Sequence, residues 1–266
     1  MFRKLTALLL ACFLMLSLPA ALADDLLDTV MSRDNGQSQL IIATEGTWAP
    51  WTYHDPDSDE LVGFDVEVAR AIAAQLGVET KFVECPWESI FMGIDSKMYD
   101  ITANGVEITE ERSEKYDFSV PYAFLRTALI VRGDNDSIHS FEDLRGKKTA
   151  NSAGSTYALT AEGYGAETVV VSTLAQTLDL VLSGSADATL NAELSFSDYM
   201  KEHPEANLKV VALSEEASDV AIPVRKGAEN ASFLAALDGA IQQLRADGTL
   251  KAISEKYFGI DITAAE

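Results

Sequence analysis

The chain is poor in cysteine and histidine, with two and three copies in 266 residues. Cys12 lies in an N-terminal apolar run that we expect to be removed, so Cys85 would be alone and no intramolecular disulfide could form. We interpret Cys85 as a small buried hydrophobic residue, because no helix start or histidine is evidently placed to activate its thiol. A nucleophile motif such as G-x-S-x-G is also missing, so the sequence gives little support for covalent catalysis.

Basic residues are scarce as well. The chain has 20 lysines and arginines against 42 aspartates and glutamates, a formal net charge of -22. Binding to a phosphate backbone needs clustered lysine and arginine, and the sequence contains no substantial cluster of them. We therefore exclude nucleic acid as a partner and interpret the acidity as typical of a soluble exported protein.

Only one long apolar run occurs, from Leu5 to Leu18, behind Arg3 and Lys4. This pattern predicts an export signal over residues 1–23, cleaved after Ala23, and a soluble periplasmic protein thereafter. A competing cleavage before Cys12 resembles a lipoprotein site. It would leave an apolar tail where a polar linker is usual, so we do not favour a lipid anchor at Cys12.

Short apolar runs alternate with helix-like periodic segments, which predicts the α/β class. Strands are expected at Gln39–Thr44, Val78–Val83, Lys147–Asn151, Val169–Val171 and Val210–Leu213. Helices are expected at Gly63–Gly77, Ile90–Ile94, Tyr157–Glu162, Leu174–Leu182, Phe233–Leu244 and Leu250–Tyr257.

Two extended segments, Phe118–Val131 and Val220–Val224, are candidates for crossings between two lobes. We predict one lobe from residues 24–124 and 221–266, and a second from residues 125–220. The pattern D-x-T-x-N occurs at residues 100–104 and again at 187–191. Chance could produce this repeat, and so could two βαβ halves that each direct a strand end at a shared cleft.

The stretch from Asp100 to Arg112 carries the strongest functional signal. A strand end at Ile101–Val106 is followed by a turn and a short helix that contains Arg112. Arginine binds a carboxylate through two parallel hydrogen bonds, and the Asn104 side chain and the Gly105 main chain could add others. The alternative is that Arg112 pairs with neighbouring glutamates on a solvated helix face.

Two further stretches follow predicted strands. Glu45, Trp48 and Trp51 come after the first strand, where ligands bind in open α/β sheets, although tryptophans are also ordinary core residues. The small residues of Ser152–Thr156 precede a helix, whose first amides could bind an anion or simply be capped by a hydroxyl.

The acidic stretch Asp55–Asp59 has D-x-D-x-D spacing but is interrupted by Pro56. Glu60 follows it where a calcium loop needs glycine, so we predict a hairpin turn and no metal site.

Several segments in order resemble the family 3 extracellular solute-binding proteins, the amino-acid receptors of bacterial ABC importers. They are EGTWAPW (45–51), GFDVEVARAIA (63–73), ANGVEITEERSEKYDFSVPY (103–122), SFEDLRGKK (140–148) and LRADGTLKAISEKYFG (244–259). The resemblance implies a two-lobe periplasmic binding protein fold of type II with two hinge-crossing strands. It also implies a monomer that captures a free amino acid, delivers it to a membrane permease and needs no cofactor.

In this family Arg112 would hold the ligand α-carboxylate, assisted by amides from the second lobe. Asn104 and Gly105 would contact the α-amino group, and glutamate and tryptophan side chains would line the side-chain pocket. The site implied in this way comprises Glu45, Trp48, Trp51, Trp87, Asn104, Gly105, Val106, Glu107, Arg112, Ser152, Gly154, Ser155, Thr156, Asn191 and Glu193.

The chain departs from the family pattern at two positions. Ala192, between Asn191 and Glu193, occupies the place of the aspartate that usually receives the α-ammonium, and Glu107 stands where serine or threonine is usual. Our hypothesis is that Glu107 supplies the missing negative charge from the first lobe.

The EGT-x-x-P segment and Trp87 resemble the branch that binds cystine or cysteine, so we expect cystine or another polar amino acid. The aromatic lining also suits aromatic side chains, and a basic ligand could pair with Glu45. A dehydratase on this fold, with Glu45 and Glu107 as an acid/base pair, is the enzymatic alternative. The three histidines lie in apparent turns or surface segments, which argues against it.

Overall fold

The structure is a computed structural model that describes residues 25–36 and 38–264. The predicted export signal and its cleavage site lie outside these residues. The α-helices are α1 (Leu26–Gly36), α2 (Phe64–Leu76), α3 (Trp87–Asp95), α4 (Glu110–Lys115), α5 (Thr156–Gly163), α6 (Leu174–Ser183), α7 (Glu193–Glu202), α8 (Ala231–Ala246) and α9 (Thr249–Phe258).

The β-strands are β1 (Gln39–Thr44), β2 (Thr47–Trp48), β3 (Thr52–His54), β4 (Leu61–Val62), β5 (Glu79–Glu84), β6 (Ile101–Thr102), β7 (Tyr116–Phe118), β8 (Ala123–Leu125), β9 (Thr127–Arg132), β10 (Lys148–Asn151), β11 (Glu167–Val170), β12 (Ala188–Ala192), β13 (Leu208–Leu213), β14 (Ser218–Val220) and β15 (Pro223–Arg225). Single 3-10 turns span Phe141–Leu144 and Ala228–Asn230.

The first lobe is built on a parallel sheet with strand order β5-β1-β6. The central strand β1 is apolar and buries Leu40, Ile42 and Ala43, as expected for a strand covered on both faces. Helix α2 buries Phe64, Val68 and Ile72 along one side, where it packs with α8 and α9. These helices fix the edge of the sheet at which β1 and β6 end.

The second lobe is built on a five-stranded sheet with order β11-β10-β12-β9-β13. Strands β10, β11 and β12 are parallel, while β9 runs antiparallel to both β12 and β13. Helices α5 and α6 contact β10 and β12. The second sheet therefore also directs the ends of two parallel strands, β10 and β12, toward one edge.

Two short antiparallel ladders lie where the chain passes between the sheets. Strand β7 pairs with β15, and β8 pairs with β14, with Ala123 opposite Val220. The prediction of one continuous extended segment over Phe118–Val131 was wrong in detail. Residues 119–122 separate β7 from β8, and residue 126 separates β8 from β9. The expected crossing Val220–Val224 is likewise split between β14 and β15.

The D-x-T-x-N repeat occupies equivalent places in the two sheets. Asp100 accepts a hydrogen bond from the Ile41 amide at 2.8 Å, and Asp187 accepts one from the Lys148 amide at 2.8 Å. Each threonine of the repeat donates to a carbonyl of the adjacent parallel strand, β1 in the first sheet at 2.9 Å and β10 in the second at 2.7 Å. The repeat thus ties a strand to its neighbour in both lobes.

Two helices were not predicted. Helix α1 precedes β1, and it is held by Arg33, which forms a bidentate pair with Asp100 at 2.6 and 2.8 Å. Helix α7 follows β12 directly, and Ser195 and Phe196 are its only buried residues. Because α7 buries so few apolar side chains, its sequence shows almost no helical periodicity of apolar residues.

The acidic stretch forms a hairpin turn between β3 and β4, as predicted. The Asp55 carboxylate accepts hydrogen bonds from the Asp57 and Ser58 amides, at 3.0 and 2.9 Å. Within the described ranges, no group of three or more His, Cys, Asp or Glu side chains is arranged to hold a metal ion. None of the helices in residues 25–36 and 38–264 combines the length and apolarity needed to cross a bilayer.

Candidate ligand-binding cleft

A cleft lies between the two lobes, at the edges where β1, β6, β10 and β12 end. It contains a partly open cavity of about 50 Å³, room for a few water molecules at roughly 10–15 Å³ each, so the lobes would have to move apart to admit an amino acid. The residues that line it are Glu45, Thr47, Trp48, Trp87, Asn104, Gly105, Glu107, Arg112, Asn151, Ser152, Ser155, Thr156, Tyr157, Ser172, Thr173, Leu174, Thr177 and Asn191.

The Arg112 guanidinium is the main positive group of the cleft. Helix α4 positions it, because the Thr109 side chain caps that helix by accepting the Arg112 amide at 3.1 Å. The guanidinium lies over the rings of Trp87 and Phe91, 5.2 and 5.4 Å from their centroids, and is nearly buried. Burial lowers the pKa of Arg112, and the nearby carboxylate of Glu107 opposes that shift.

Two hydrogen bonds orient this guanidinium. Nη1 donates to the Glu107 carbonyl at 2.9 Å, and Nη2 donates to the Gly154 carbonyl of the other lobe at 3.4 Å. The alternative pairing with neighbouring glutamates is not what the structure shows, since Glu111 pairs with Lys115 at 3.0 Å. A buried arginine with donors facing the cleft is suited to bind an anionic group such as a carboxylate.

Asn104 and Glu45 form one hydrogen-bonded unit at the ends of β6 and β1. Asn104 Nδ2 donates to Glu45 Oε2 at 2.6 Å, while its Oδ1 accepts the Glu45 amide at 2.8 Å. Burial raises the pKa of Glu45 to about 7, partly opposed by the Asn104 hydrogen bond and supported by the charge of Glu88. Glu45 can therefore exchange a proton near neutral pH within the cleft.

Gly105 brings the main chain close to the cleft wall. Its φ of 56° is left-handed, and a β-carbon there would lie 2.5 Å from the Trp48 ring, so only glycine fits. Its amide donates to Asp65 Oδ2 at 2.5 Å, and Tyr122 donates to Asp65 Oδ1 at 2.7 Å.

Asp65 was missed as a residue that positions the site. It is fully buried, and burial raises its pKa to about 7 against the effect of these two hydrogen bonds. The sequence does contain an indication of this role. Asp65 follows Phe64 on the buried side of α2, and a buried acid needs hydrogen-bond partners.

The two tryptophans after β1 have different places. Trp48 lines the cleft, and its ring stacks on that of Trp51 with centroids 5.2 Å apart. Trp51 is fully buried behind it and packs against Phe64 and Phe258, at 5.4 and 5.1 Å between ring centroids. The structure thus places Trp51 in the core that supports the cleft wall, not in the wall itself, because α2 and α9 cover it.

The second lobe contributes the segment before α5. Ser155 caps that helix by accepting the Ala158 amide at 3.1 Å, and Ser152 and Thr156 line the cleft. Gly154 does not line it, but its carbonyl accepts Arg112 as described above. The Thr156 hydroxyl donates across the cleft to the Glu107 carboxylate. Capping and a cleft position therefore coexist in this turn.

Asn191, at the end of β12, accepts a hydrogen bond from Trp48 Nε1 at 3.0 Å. Like Asn104, it is the last residue of the repeat, so each lobe delivers one repeat asparagine to the cleft.

In addition to Trp51 and Gly154, two predicted site residues do not line the cleft. Val106 is 1% exposed in the core cluster with Ile90, and its carbonyl accepts the Ala221 amide at 3.0 Å. Glu193 begins α7 just beyond the strand end and lines a different cavity, beside Arg126. Gly105 and Glu107, on either side of Val106, do line the cleft, and at the end of β12 the residue that lines it is Asn191, two positions before Glu193.

Sequence reasoning also missed cleft residues of the second lobe, above all Asn151 and Tyr157. Both side chains are buried, the Asn151 Oδ1 accepts no hydrogen bond, and the Tyr157 hydroxyl donates none. Asn151 Nδ2 is bonded to the Leu190 carbonyl at 2.7 Å. Asn151 ends a predicted strand, which was a usable signal, whereas Tyr157 looked like an ordinary helix residue.

The structure has two α/β lobes joined by two ladders, with a buried arginine in the cleft between them. This arrangement is that of a two-lobe solute-binding protein. The model of the bacterial extracellular solute-binding proteins, family 3, matches residues 40–260. The chain belongs to this family, and the expected recognition and fold are confirmed.

Three similar proteins are informative. A Haemophilus influenzae protein named "Probable amino-acid ABC transporter-binding protein" is 40% identical over 224 residues, 84% of this chain and 86% of that protein. The L-cystine-binding protein TcyA of Bacillus subtilis is 35% identical over 266 residues, 96% of this chain and 98% of that protein.

The third is a crystal structure of the L-cystine solute receptor of Neisseria gonorrhoeae in the unliganded open conformation. It is 40% identical, covers 90% of this chain and 99% of its own, and superposes with a TM-score of 0.58. In the present structure, hydrogen bonds join the two lobes across the cleft.

Proposed function

We propose that this chain captures a free amino acid, with L-cystine favoured, and delivers it to the membrane permease of an ABC importer. The observation that carries the proposal is the buried Arg112 guanidinium, which faces a cleft formed by both lobes. A ligand α-carboxylate would complete the hydrogen bonds of this group, with assistance from the segment before α5. The family of the chain supports the same role.

The contacts are sufficient for tight binding. A hydrogen bond to a charged group contributes about 1.5–3 kcal/mol, so three of them with an aromatic wall reach the roughly 8 kcal/mol of a micromolar site. Arg112 supplies such bonds to the carboxylate, and Glu107 supplies an acceptor for the ammonium. Trp48 and Trp87 supply the wall.

Closure of the lobes is the second part of the proposal. Arg112, Glu107 and Trp48 of the first lobe contact Gly154, Thr156 and Asn191 of the second. A ligand between these groups would favour the closed form, because only that form offers both sets of contacts. We propose that the lobes comprise residues 24–124 with 221–266, and 125–220, with β7–β15 and β8–β14 as the hinge strands.

Three observations favour L-cystine over a basic amino acid. Three of the second-lobe side chains that line the cleft, Ser172, Thr173 and Thr177, are polar and uncharged. Glu45, the acid that would pair with a basic ligand, has its pKa raised to about 7 and is therefore partly neutral near that pH. Two of the similar proteins are named for L-cystine.

We further propose a monomeric, exported protein, cleaved after Ala23, that has no catalytic activity. The similar proteins reported above are named as binding proteins or receptors. Mass spectrometry of the exported protein tests the cleavage, and size-exclusion chromatography with light scattering tests the monomer. Incubation with prephenate tests catalysis, since product formation would contradict a purely binding role.

A ligand screen tests the main proposal. The mature protein is unfolded and refolded to remove co-purified ligand, then heated with each of the twenty amino acids and with L-cystine. We expect L-cystine to raise the melting temperature most, since ligand at 100 times its Kd stabilises by about 2.7 kcal/mol. Reduction of cystine to cysteine by a thiol-free phosphine serves as the control. If no amino acid shifts the melting temperature, the proposal is wrong.

A further inference from the structure

Tyr157 has an unusual combination of burial and an unused hydrogen-bond donor. It is the second residue of α5, and its side chain lines the cleft while being 8% exposed. Its hydroxyl donates no hydrogen bond, and the main-chain amide of Ala192 approaches its oxygen. A buried hydroxyl that donates no hydrogen bond is unfavourable in a folded protein, so such a group in a binding cleft calls for an explanation.

The other buried side-chain hydroxyls without partners do not share this position. In the part of the chain that the structure describes, they belong to Thr149, Thr168 and Ser195, and none of these residues lines the cleft. Asn151 does line it, but its amide nitrogen is already bonded to a main-chain carbonyl. Tyr157 is therefore the one residue of this group that lies at the cleft and whose only hydrogen-bond donor is unused.

The charges around this hydroxyl are those of the ligand-binding groups. Glu107 and Glu45 raise the pKa of Tyr157, and the Ala192 amide and Arg112 lower it, while burial raises it most of all. The phenol accordingly keeps its proton and is available as a donor. It lies on the second lobe, opposite the guanidinium of the first.

We propose that the Tyr157 hydroxyl donates a hydrogen bond to the ligand carboxylate held by Arg112. The bond forms only when the lobes close on a ligand, so Tyr157 would be a second-lobe recognition residue. This inference rests on the proposed amino-acid binding and adds one residue and its role to that site.

The test is Tyr157→Phe, which removes one oxygen and keeps the ring. We expect L-cystine affinity, measured by calorimetry, to fall at least tenfold, because a hydrogen bond to a charged group is lost. The melting temperature of the ligand-free variant should change little, since the O–H has no acceptor and only the contact with the Ala192 amide is lost. Tyr164→Phe, at the end of the same helix and 37% exposed, is the matched control and should change neither quantity.

Two results would overturn the inference. One is an affinity of Tyr157→Phe within threefold of wild type, and the other is a lower melting temperature of the ligand-free variant with an unchanged affinity for L-cystine. If wild type binds another amino acid instead, the same comparison is made with that amino acid. If wild type binds none, the proposed function itself has failed. A ligand whose α-carboxylate is replaced by an amide gives a further test. The ratio of the wild-type affinity to the Tyr157→Phe affinity should be smaller for this amide than for the acid.

Discussion

The Thr156 hydroxyl of the second lobe donates a hydrogen bond to the Glu107 carboxylate of the first, directly across the cleft. Glu107 is 5% exposed, and its main-chain carbonyl also accepts a hydrogen bond from Arg112 at 2.9 Å. One residue thus joins the two lobes and the arginine of the cleft. A ligand that enters here has to share or replace the Thr156 contact.

Glu107→Gln tests whether this carboxylate receives the ligand ammonium. The glutamine keeps a hydrogen-bond acceptor for Thr156 but removes the charge, so we expect ligand affinity to fall at least tenfold, about 1.4 kcal/mol. Calorimetry with L-cystine measures it. Glu110→Gln, an exposed change on α4, should leave the affinity unaltered. A loss smaller than tenfold in Glu107→Gln would show that the ammonium is bound elsewhere.

Arg112→Lys tests the carboxylate contact. Lysine keeps the positive charge but lacks the planar fork and cannot donate to Glu107, Gly154 and a ligand in the same geometry. We expect a loss of about 10- to 100-fold in affinity, equivalent to one hydrogen bond to a charged group. Arg145→Lys, at an exposed position of the second lobe, is the control. Equal affinities of Arg112→Lys and wild type would contradict the assignment.

The free energy of unfolding should depend on pH through the protonation of Glu45. Its pKa is raised from 4.5 to about 7 in the folded protein, so the folded state binds this proton more tightly than the unfolded chain. The stabilisation is complete below about pH 4.5, is lost as the pH rises through about 7 and is absent above that. At about 1.4 kcal/mol per pKa unit, the contribution is at most roughly 3 kcal/mol.

Glu45→Gln should remove this contribution. Asp65 has its pKa raised to about 7 as well and acts in the same direction in both proteins, so the difference between wild type and variant is the informative quantity. Urea unfolding between pH 5 and pH 8 measures it, with the exposed Glu79→Gln as control. Parallel curves for wild type and Glu45→Gln would contradict the burial argument.

Trp48 and Trp51 should separate binding from stability. Trp51→Ala leaves a void between Trp48, Phe64 and Phe258, and we expect about 3–5 kcal/mol lower free energy of unfolding. Trp48→Ala removes a cleft wall and the bond to Asn191, so affinity should fall about tenfold, ~1.4 kcal/mol. Urea unfolding and calorimetry measure the two effects. A larger stability loss for Trp48→Ala than for Trp51→Ala would reverse the assignment.

Much of the fold could be predicted from local patterns. Strand β1 was predicted with its observed limits, because its apolar run is bounded by polar residues, and α2 ends at Gly77 in the left-handed conformation that glycine favours. Helix α7 could not be predicted, since it buries only two residues and its position depends on the end of β12. The breaks in the crossing segment depend on pairing with β14 and β15, which lie about a hundred residues further along the chain.

The first-lobe half of the candidate site was more accessible to sequence reasoning than the second. Arg112 and Asn104 follow one strand closely, so a local pattern places them in the cleft. Tyr157 and Asn151 reach the same cleft only because α5 and β10 are docked there by the second sheet. Trp51 illustrates the converse, since nothing local indicates that Phe258, from the last helix, covers it.

All three tryptophans of the chain lie at or directly behind the cleft. Trp48 is bonded to the opposite lobe, and Trp87 lies beneath the arginine. Lobe opening would therefore hydrate indole rings and change their emission, with no tryptophan elsewhere to obscure the change. The protein carries a built-in optical reporter of its own closure, so binding can be followed in real time by intrinsic fluorescence without attaching a dye.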